Sequence, residues 1–188
     1  MKRRSLLLAV GAAGVAIVGR GAVFAGTRTP TGALRPWSAI DAPGSGDARL
    51  DALRHAVLAP NPHNRQPWLV ELRGADEVLL RCDLGRRLPQ TDPFDRQITI
   101  GFGCFLELCR IAAAERGVRA EIEAFPEGEP AETARLDNRA IARLRFVADS
   151  SVERDALYPM IALRRSLKRP FDTARPLAAG VSSCFESI

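Results

Sequence analysis

The chain has 188 residues, 46% of them hydrophobic and 26% charged. That balance fits one soluble globular domain and excludes a disordered chain, a collagen-like repeat and a bundle of membrane spans. The formal charge of +5 is concentrated at the start. Residues 1–25 hold Lys2, Arg3, Arg4 and Arg20 and no acid, leaving 23 basic against 22 acidic residues elsewhere, a net of +1. No nucleic-acid partner is therefore expected.

Residues 1–25 combine a basic start, an apolar run from Leu6 to Val18 and the sequence Val23-Phe24-Ala25, which suits a cleavage site. This is the layout of a secretory signal peptide. The run is shorter than the roughly 18–20 residues needed to cross a bilayer, and Arg20 ends it. Arg3-Arg4 followed by Ser5-Leu6-Leu7 resembles a twin-arginine (Tat) signal. Its implications are engagement of the Tat translocase, export in the folded state and a periplasmic or other extracytoplasmic location. Residues 26–46, with Pro30, Pro36 and Pro43 and no sustained periodicity, read as a linker.

From Asp47 an amphipathic helix is expected, with Asp47 as N-cap, an apolar stripe of Leu50, Leu53 and Val57, and a stop at Pro60. His55 lies off that stripe and reads as a surface or boundary residue. Leu69–Arg73 and Glu77–Cys82 flank Gly74-Ala75-Asp76 and predict a hairpin. In Asp92-Pro93-Phe94-Asp95, Asp92 reads as N-cap and Pro93 as the first residue of a long helix. Its stripe of Ile98, Phe102, Phe105, Leu108, Ile111 and Ala112 makes it central. Val118, Ala120, Ile122 and Ala124 alternate with polar residues and predict a half-buried strand, as do Ala142, Leu144 and Phe146. Ser150 and Glu153 then read as a capping box for a helix kinked at Pro159. The order helix, two strands, long helix, two strands, helix gives the α+β class.

Little of the sequence is equipped for side-chain catalysis. There is no G-x-S-x-G, only His55 and His63 as histidines, and no metal-ligand spacing among Cys82, Cys104, Cys109 and Cys184. No catalytic side chain and no metal site are assigned. Gly101-Phe102-Gly103 begins like G-x-G-x-x-G, but Leu106 stands at the third glycine. One segment stands out: Ala59-Pro60-Asn61-Pro62-His63-Asn64-Arg65-Gln66-Pro67-Trp68 places three prolines, amide side chains and a Trp between a helix and a strand. Prolines hold a loop in one shape, and amides present donors and acceptors to a flat polar ring. The plainer reading is a rigid connection whose amides satisfy backbone groups.

Ala59-Pro60-x-x-x-Asn64-x-Gln66-Pro67-Trp68 resembles the A-P-S-x-x-N-x-Q-P-W signature of the nitroreductase superfamily of flavin enzymes, with Asn61 in place of Ser. Arg164-Arg165-Ser166-Leu167-Lys168, followed by Pro170-Phe171, resembles that family's R-R-S-x-R/K-x-F segment, which meets the flavin phosphate and ring. For Arg164, Ser166 and Lys168 the plainer reading is a solvated basic turn at a helix end. In single-domain members the arginine segment comes first, whereas here it follows by about a hundred residues. That order resembles the double-length Acg-like branch, in which two fused halves imitate a homodimer.

The resemblance implies a mixed, largely antiparallel sheet packed with helices around a long central helix. It places a first half at 47–150, a connecting helix and the start of a second, incomplete half at 151–176, and a truncated or aberrant tail at 177–188. It further implies an FMN cofactor held by Pro60, Asn61, Pro62, His63, Asn64, Gln66, Arg164, Arg165, Ser166 and Lys168. Hydride from NAD(P)H would pass to the flavin and on to a nitroaromatic, quinone or similar flat acceptor. A homodimer or a C-terminal half would complete the site. The competing functional readings are a flavin-sequestering protein without turnover and an inactive truncated fragment.

Overall fold

The computed structural model describes residues 31–131, 134–167, 169–170 and 172–174. The signal segment, Lys168 and the tail from 177 lie outside the described residues. Inside the segment read as a linker, Arg35–Ala39 forms a short helix, α1, with Pro36 in its first turn. Proline is tolerated there because the first-turn N–H has no intrahelical partner to lose. Trp37 and Ile40 pack against buried Leu58, Ile111 and Ile161.

The next helix, α2, runs Ala48–Ala56, and Asp47 caps it by accepting the Arg49 N–H. Arg49 is buried: it pairs with Asp47 at 2.7 Å and donates to the carbonyls of Arg73, Gly74 and Glu77. One guanidinium thus fixes the start of α2 to a distant hairpin turn. That hairpin is β1 (Trp68–Arg73) and β2 (Glu77–Cys82), with Trp68 opposite Cys82 and Arg73 opposite Glu77.

The central helix, α3, spans Arg96–Ala114, so its expected start is corrected. Asp92 and Pro93 lie in a turn upstream, and the N-cap is Asp95 with a left-handed backbone. The Asp95 carbonyl accepts the Thr99 N–H, but its side chain does not cap the helix, because the carboxylate takes the Leu136 N–H at 3.1 Å and Arg87 at 3.5 Å. Asp92 reaches over the turn to accept the Ile98 N–H at 3.0 Å. The free helical donor is therefore satisfied from outside the cap position.

Two further strands, β3 (Val118–Ala124) and β4 (Ala140–Ala148), complete an antiparallel sheet of order β1-β2-β4-β3. The fold is α+β with a long central helix, consistent with a nitroreductase-like fold. Ile98, Phe102, Phe105 and Cys109 of α3 share one core with Val78, Leu80, Ala142, Leu144 and Phe146. Each phenylalanine buried there contributes about 1.5–3 kcal/mol. The alternation expected for β3 is only partly realised, since Ala120 is buried but Ile122 and Ala124 are exposed on this edge strand.

The capping box at Ser150 and Glu153 does not form. Residues 150–157 are turns and irregular chain, with Asp149 bonding Ser151 instead. The last helix, α4, is only Tyr158–Leu163, and Pro159 sits in its first turn rather than at a kink. A helix begun at Ser151 would have required an N–H at Pro159 that proline lacks. His55 is also relocated: it is buried, with Nδ1 2.9 Å from the Asp51 carbonyl and Nε2 3.2 Å from the Tyr158 hydroxyl. A carbonyl only accepts, so Nδ1 carries the proton and Tyr158 donates to Nε2. Burial raises the Tyr158 hydroxyl above its ordinary value, which keeps its proton in place.

Candidate functional site

Between α2 and β1 the loop holds an unusual backbone. His63, Asn64 and Gln66 take φ of 50°, 52° and 48°, each a conformation that costs a non-glycine residue on the order of 1–3 kcal/mol. Asn61 offsets part of this. Its Oδ1 accepts the Gln66 N–H at 2.8 Å, and its Nδ2 donates to the Ala59 carbonyl at 3.1 Å. The Asn64 N–H bonds the Asn61 carbonyl and the Arg65 N–H bonds that of Pro62. Gln66 Nε2 donates to Asn64 Oδ1 at 3.2 Å. Arg65 binds the carbonyls of Arg86 and Gly85, and Arg86 returns a bond to the Arg65 carbonyl.

The loop rests on α3 at Gly101. A methyl group added there would lie 3.2 Å from Asn61 Cβ and 3.5 Å from Pro62 Cδ. The glycine read as a false nucleotide fingerprint therefore serves close loop-to-helix approach. At the loop's end Trp68 packs on Phe105 and, edge-on, on Phe102, with centroids 4.9 and 6.3 Å away.

The second motif meets the first. At Arg164 the chain leaves α4 with ψ 133°. Arg164 Nη2 then donates to the Leu58 carbonyl at 2.7 Å, across 106 residues of sequence. Its Nη1 lies 3.5 Å from Ser166 Oγ. Arg165 donates from Nη1 to the carbonyls of Ala162 and Arg164, and its guanidinium carbon lies 4.9 Å from the centre of the Trp37 ring.

Pro60, Asn61, His63, Asn64, Gln66, Arg164, Arg165 and Ser166 line one cleft of about 290 Å³. Pro62 turns away from it onto Gly101, and Lys168 lies outside the described residues. Trp37 lines the same cleft. It was hidden in the segment read as a linker, where a Trp behind a proline was the one available signal. Arg164 Nε and Trp37 Nε1 are buried without a hydrogen-bond partner among the described residues. A buried donor left unpaired costs about 1–3 kcal/mol.

No family model matches the chain. It is 33% identical over 127 residues to a Mycobacterium tuberculosis protein provisionally named NAD(P)H nitroreductase acg, an alignment covering 66% of this chain and 36% of that protein. Rv3131 of the same organism, also provisionally named an NAD(P)H nitroreductase, is 36% identical over 73 residues, covering 38% of this chain and 21% of its own length. The uncharacterized protein Rv3127 of that organism is 30% identical over 129 residues, covering 64% and 36%. The similarity supports the nitroreductase superfamily. The alignments cover about a third or less of the length of these relatives.

Other recesses lack such convergence. One of about 270 Å³ runs between Phe94, Ile100, Phe125 and Leu136, with Arg96 and Glu129 as its charged residues. On the outer sheet face, Arg143 is paired with Glu123 at 2.8 Å and with Glu77 at 3.9 Å. Among the described residues no three His, Cys, Asp or Glu side chains gather as a metal site. Burial pushes the Cys82 and Cys109 thiols up to about 12, which leaves them protonated and poor nucleophiles at neutral pH.

Proposed function

We propose that the chain is part of an exported, FMN-dependent NAD(P)H oxidoreductase of the nitroreductase superfamily, and that this cleft forms one wall of its flavin site. The observation that carries the reading is the convergence of two motifs, about a hundred residues apart, on one cleft through the Arg164 bond to the Leu58 carbonyl. The residues fit the group. Two guanidiniums suit a phosphoryl dianion, Asn64 and Gln66 offer amides to a heteroaromatic edge, and Arg164 Nε is a buried donor with no partner among the described residues.

At about 290 Å³ the cleft falls just below the roughly 300–1,000 Å³ of pockets that enclose a whole small ligand. A second copy or a further nitroreductase-like half would supply the facing wall. When bound, FMN would supply redox chemistry between NAD(P)H as hydride donor and a flat acceptor such as a nitroaromatic or a quinone. The chain's own part is to bind and orient. Arg164, Arg165 and, by the family resemblance, Lys168 would neutralise the phosphate, Ser166 would add a hydroxyl, and the fixed loop sets the position of Asn64 and Gln66.

The test is to load the chain with FMN and add NADH or NADPH anaerobically while following flavin absorbance. Bleaching supports the oxidoreductase. Bound flavin that neither nucleotide bleaches indicates a sequestering protein, and absence of flavin binding overturns the assignment. Export rests on Arg3-Arg4. Replacing both with lysine keeps the charge and removes the guanidinium geometry, so processing and export should be lost, and unchanged export would refute the twin-arginine reading.

A further inference from the structure

Helix α1 belongs to neither motif, yet it reaches the cleft. Its Trp37 ring lies beneath the Arg165 guanidinium at 4.9 Å, within the distance at which a cation is drawn to an aromatic face. The ring itself is seated on Leu58, Ile111 and Ile161. Leu58 is also the residue whose carbonyl receives Arg164. Arg165 Nη1 is spent on two carbonyls, while Nε and Nη2 have no protein partner among the described residues. One edge of this fork is thus anchored and the other is offered to a ligand.

We infer that Trp37 is a positioning residue for phosphate recognition: it holds Arg165 so that the cleft selects a phosphate-bearing ring ligand over the same ring without phosphate. The inference rests on the flavin reading proposed above. A free arginine side chain loses rotamer entropy when it engages a ligand. Stacking on a ring that is itself packed removes that cost before the ligand arrives. Trp37 lies twelve positions beyond Ala25, the residue after which the signal is expected to be cut, so the clamp remains after such processing.

The experiment is a fluorescence titration of the chain and its Trp37→Leu, Trp37→Phe and Arg165→Gln variants with FMN and, in parallel, with riboflavin. Trp37→Leu should weaken FMN binding about three- to tenfold, the scale of a cation–π contact, and leave riboflavin binding within about twofold. Trp37→Phe keeps an aromatic face and should recover most of the loss. In an Arg165→Gln background, Trp37→Leu should add almost nothing, since two residues acting through one contact are not additive. Should Trp37→Leu fail to fold, the Phe variant and Arg165→Gln decide: discrimination between FMN and riboflavin must survive the first and shrink in the second.

Equal losses for both ligands would show a merely structural tryptophan and overturn the inference, as would undiminished FMN affinity in Trp37→Leu. Wild-type protein that binds neither ligand would sink the flavin reading together with this one. Binding of both ligands without discrimination would sink the inference alone.

Discussion

The loop Asn61–Gln66 keeps its shape largely through short-range bonds within Ala59–Gln66, whereas Arg164–Ser166 takes its shape largely from what it touches. In the loop, Asn61 spends both ends of its amide within six residues, and three left-handed residues are locked by it. In the arginine segment, one guanidinium hangs on a carbonyl 106 residues away and the other rests on a ring of α1. The first wall is pre-organised at a local cost in backbone strain, and the second is assembled only when the tertiary structure is complete. Damage to the loop should therefore appear as lost stability, and damage to the arginine segment as lost affinity.

The largest effect is expected where the loop meets the core. Trp68→Ala removes the ring that packs on Phe102 and Phe105, and truncation of such a residue costs about 3–5 kcal/mol. A thermal melt should fall steeply, and an unchanged melting temperature would break the claim that the loop is anchored there. Next comes Asn61→Ala, which leaves the Gln66 N–H without its acceptor and the αL residues without their lock. A loss of about 1–3 kcal/mol in a denaturant titration is expected. A negligible loss would mean that the backbone conformation is held by something other than this side chain.

Two glycines of α3 sharpen the contrast further. Gly103 has open space where a methyl group would go, so Gly103→Ala should stabilise the protein by up to about 1 kcal/mol through helix propensity alone. Gly101→Ala makes the same propensity gain but presses on Asn61 and Pro62, and should give no net gain. Equal stabilisation of both variants would show that the loop does not bear on the helix.

The smallest effect concerns acid. Burial alone would raise the Asp51 carboxyl, but hydrogen bonds from Ser45 and the charges of Arg116 and Arg54 outweigh it and hold the group below its ordinary value. With the folded value depressed, the stabilisation is complete above the unfolded value near ~3.9 and disappears as pH falls through the folded value. Asp51→Asn should therefore lose less stability than the wild type between about pH 5 and 3. A parallel acid limb in both proteins would remove Asp51 from the account.

What was legible in the sequence was what depends on neighbours in the chain. The hairpin around Gly74-Ala75-Asp76, the Asp47 cap and the apolar stripe of the central helix are local patterns, and each forms where periodicity and turn chemistry put it. The failures share a cause. Asp95 replaced Asp92 as N-cap because Leu136, 41 residues later, claims its carboxylate. His55 is buried because Tyr158 arrives over it. Nothing near Trp37 in sequence reveals its stacking on Arg165. The grouping of Asn64 and Gln66 with Arg164 and Ser166 was legible only through the family resemblance, since no spacing rule brings residues a hundred positions apart to one cleft. Asn61 lines the cleft, and both ends of its amide are occupied within the loop, a use that spacing does not reveal.

The central claim, that the two walls form one flavin-binding cleft, is tested most directly by an equilibrium FMN titration of the wild type against Arg164→Ala, read by quenching of flavin fluorescence. The account predicts saturable binding that weakens by roughly 1.5–3 kcal/mol, about ten- to 150-fold, when the charge-assisted hydrogen bonds of Arg164 are lost. Equal affinity in the two proteins, or a wild type that shows no saturable quenching, would contradict it.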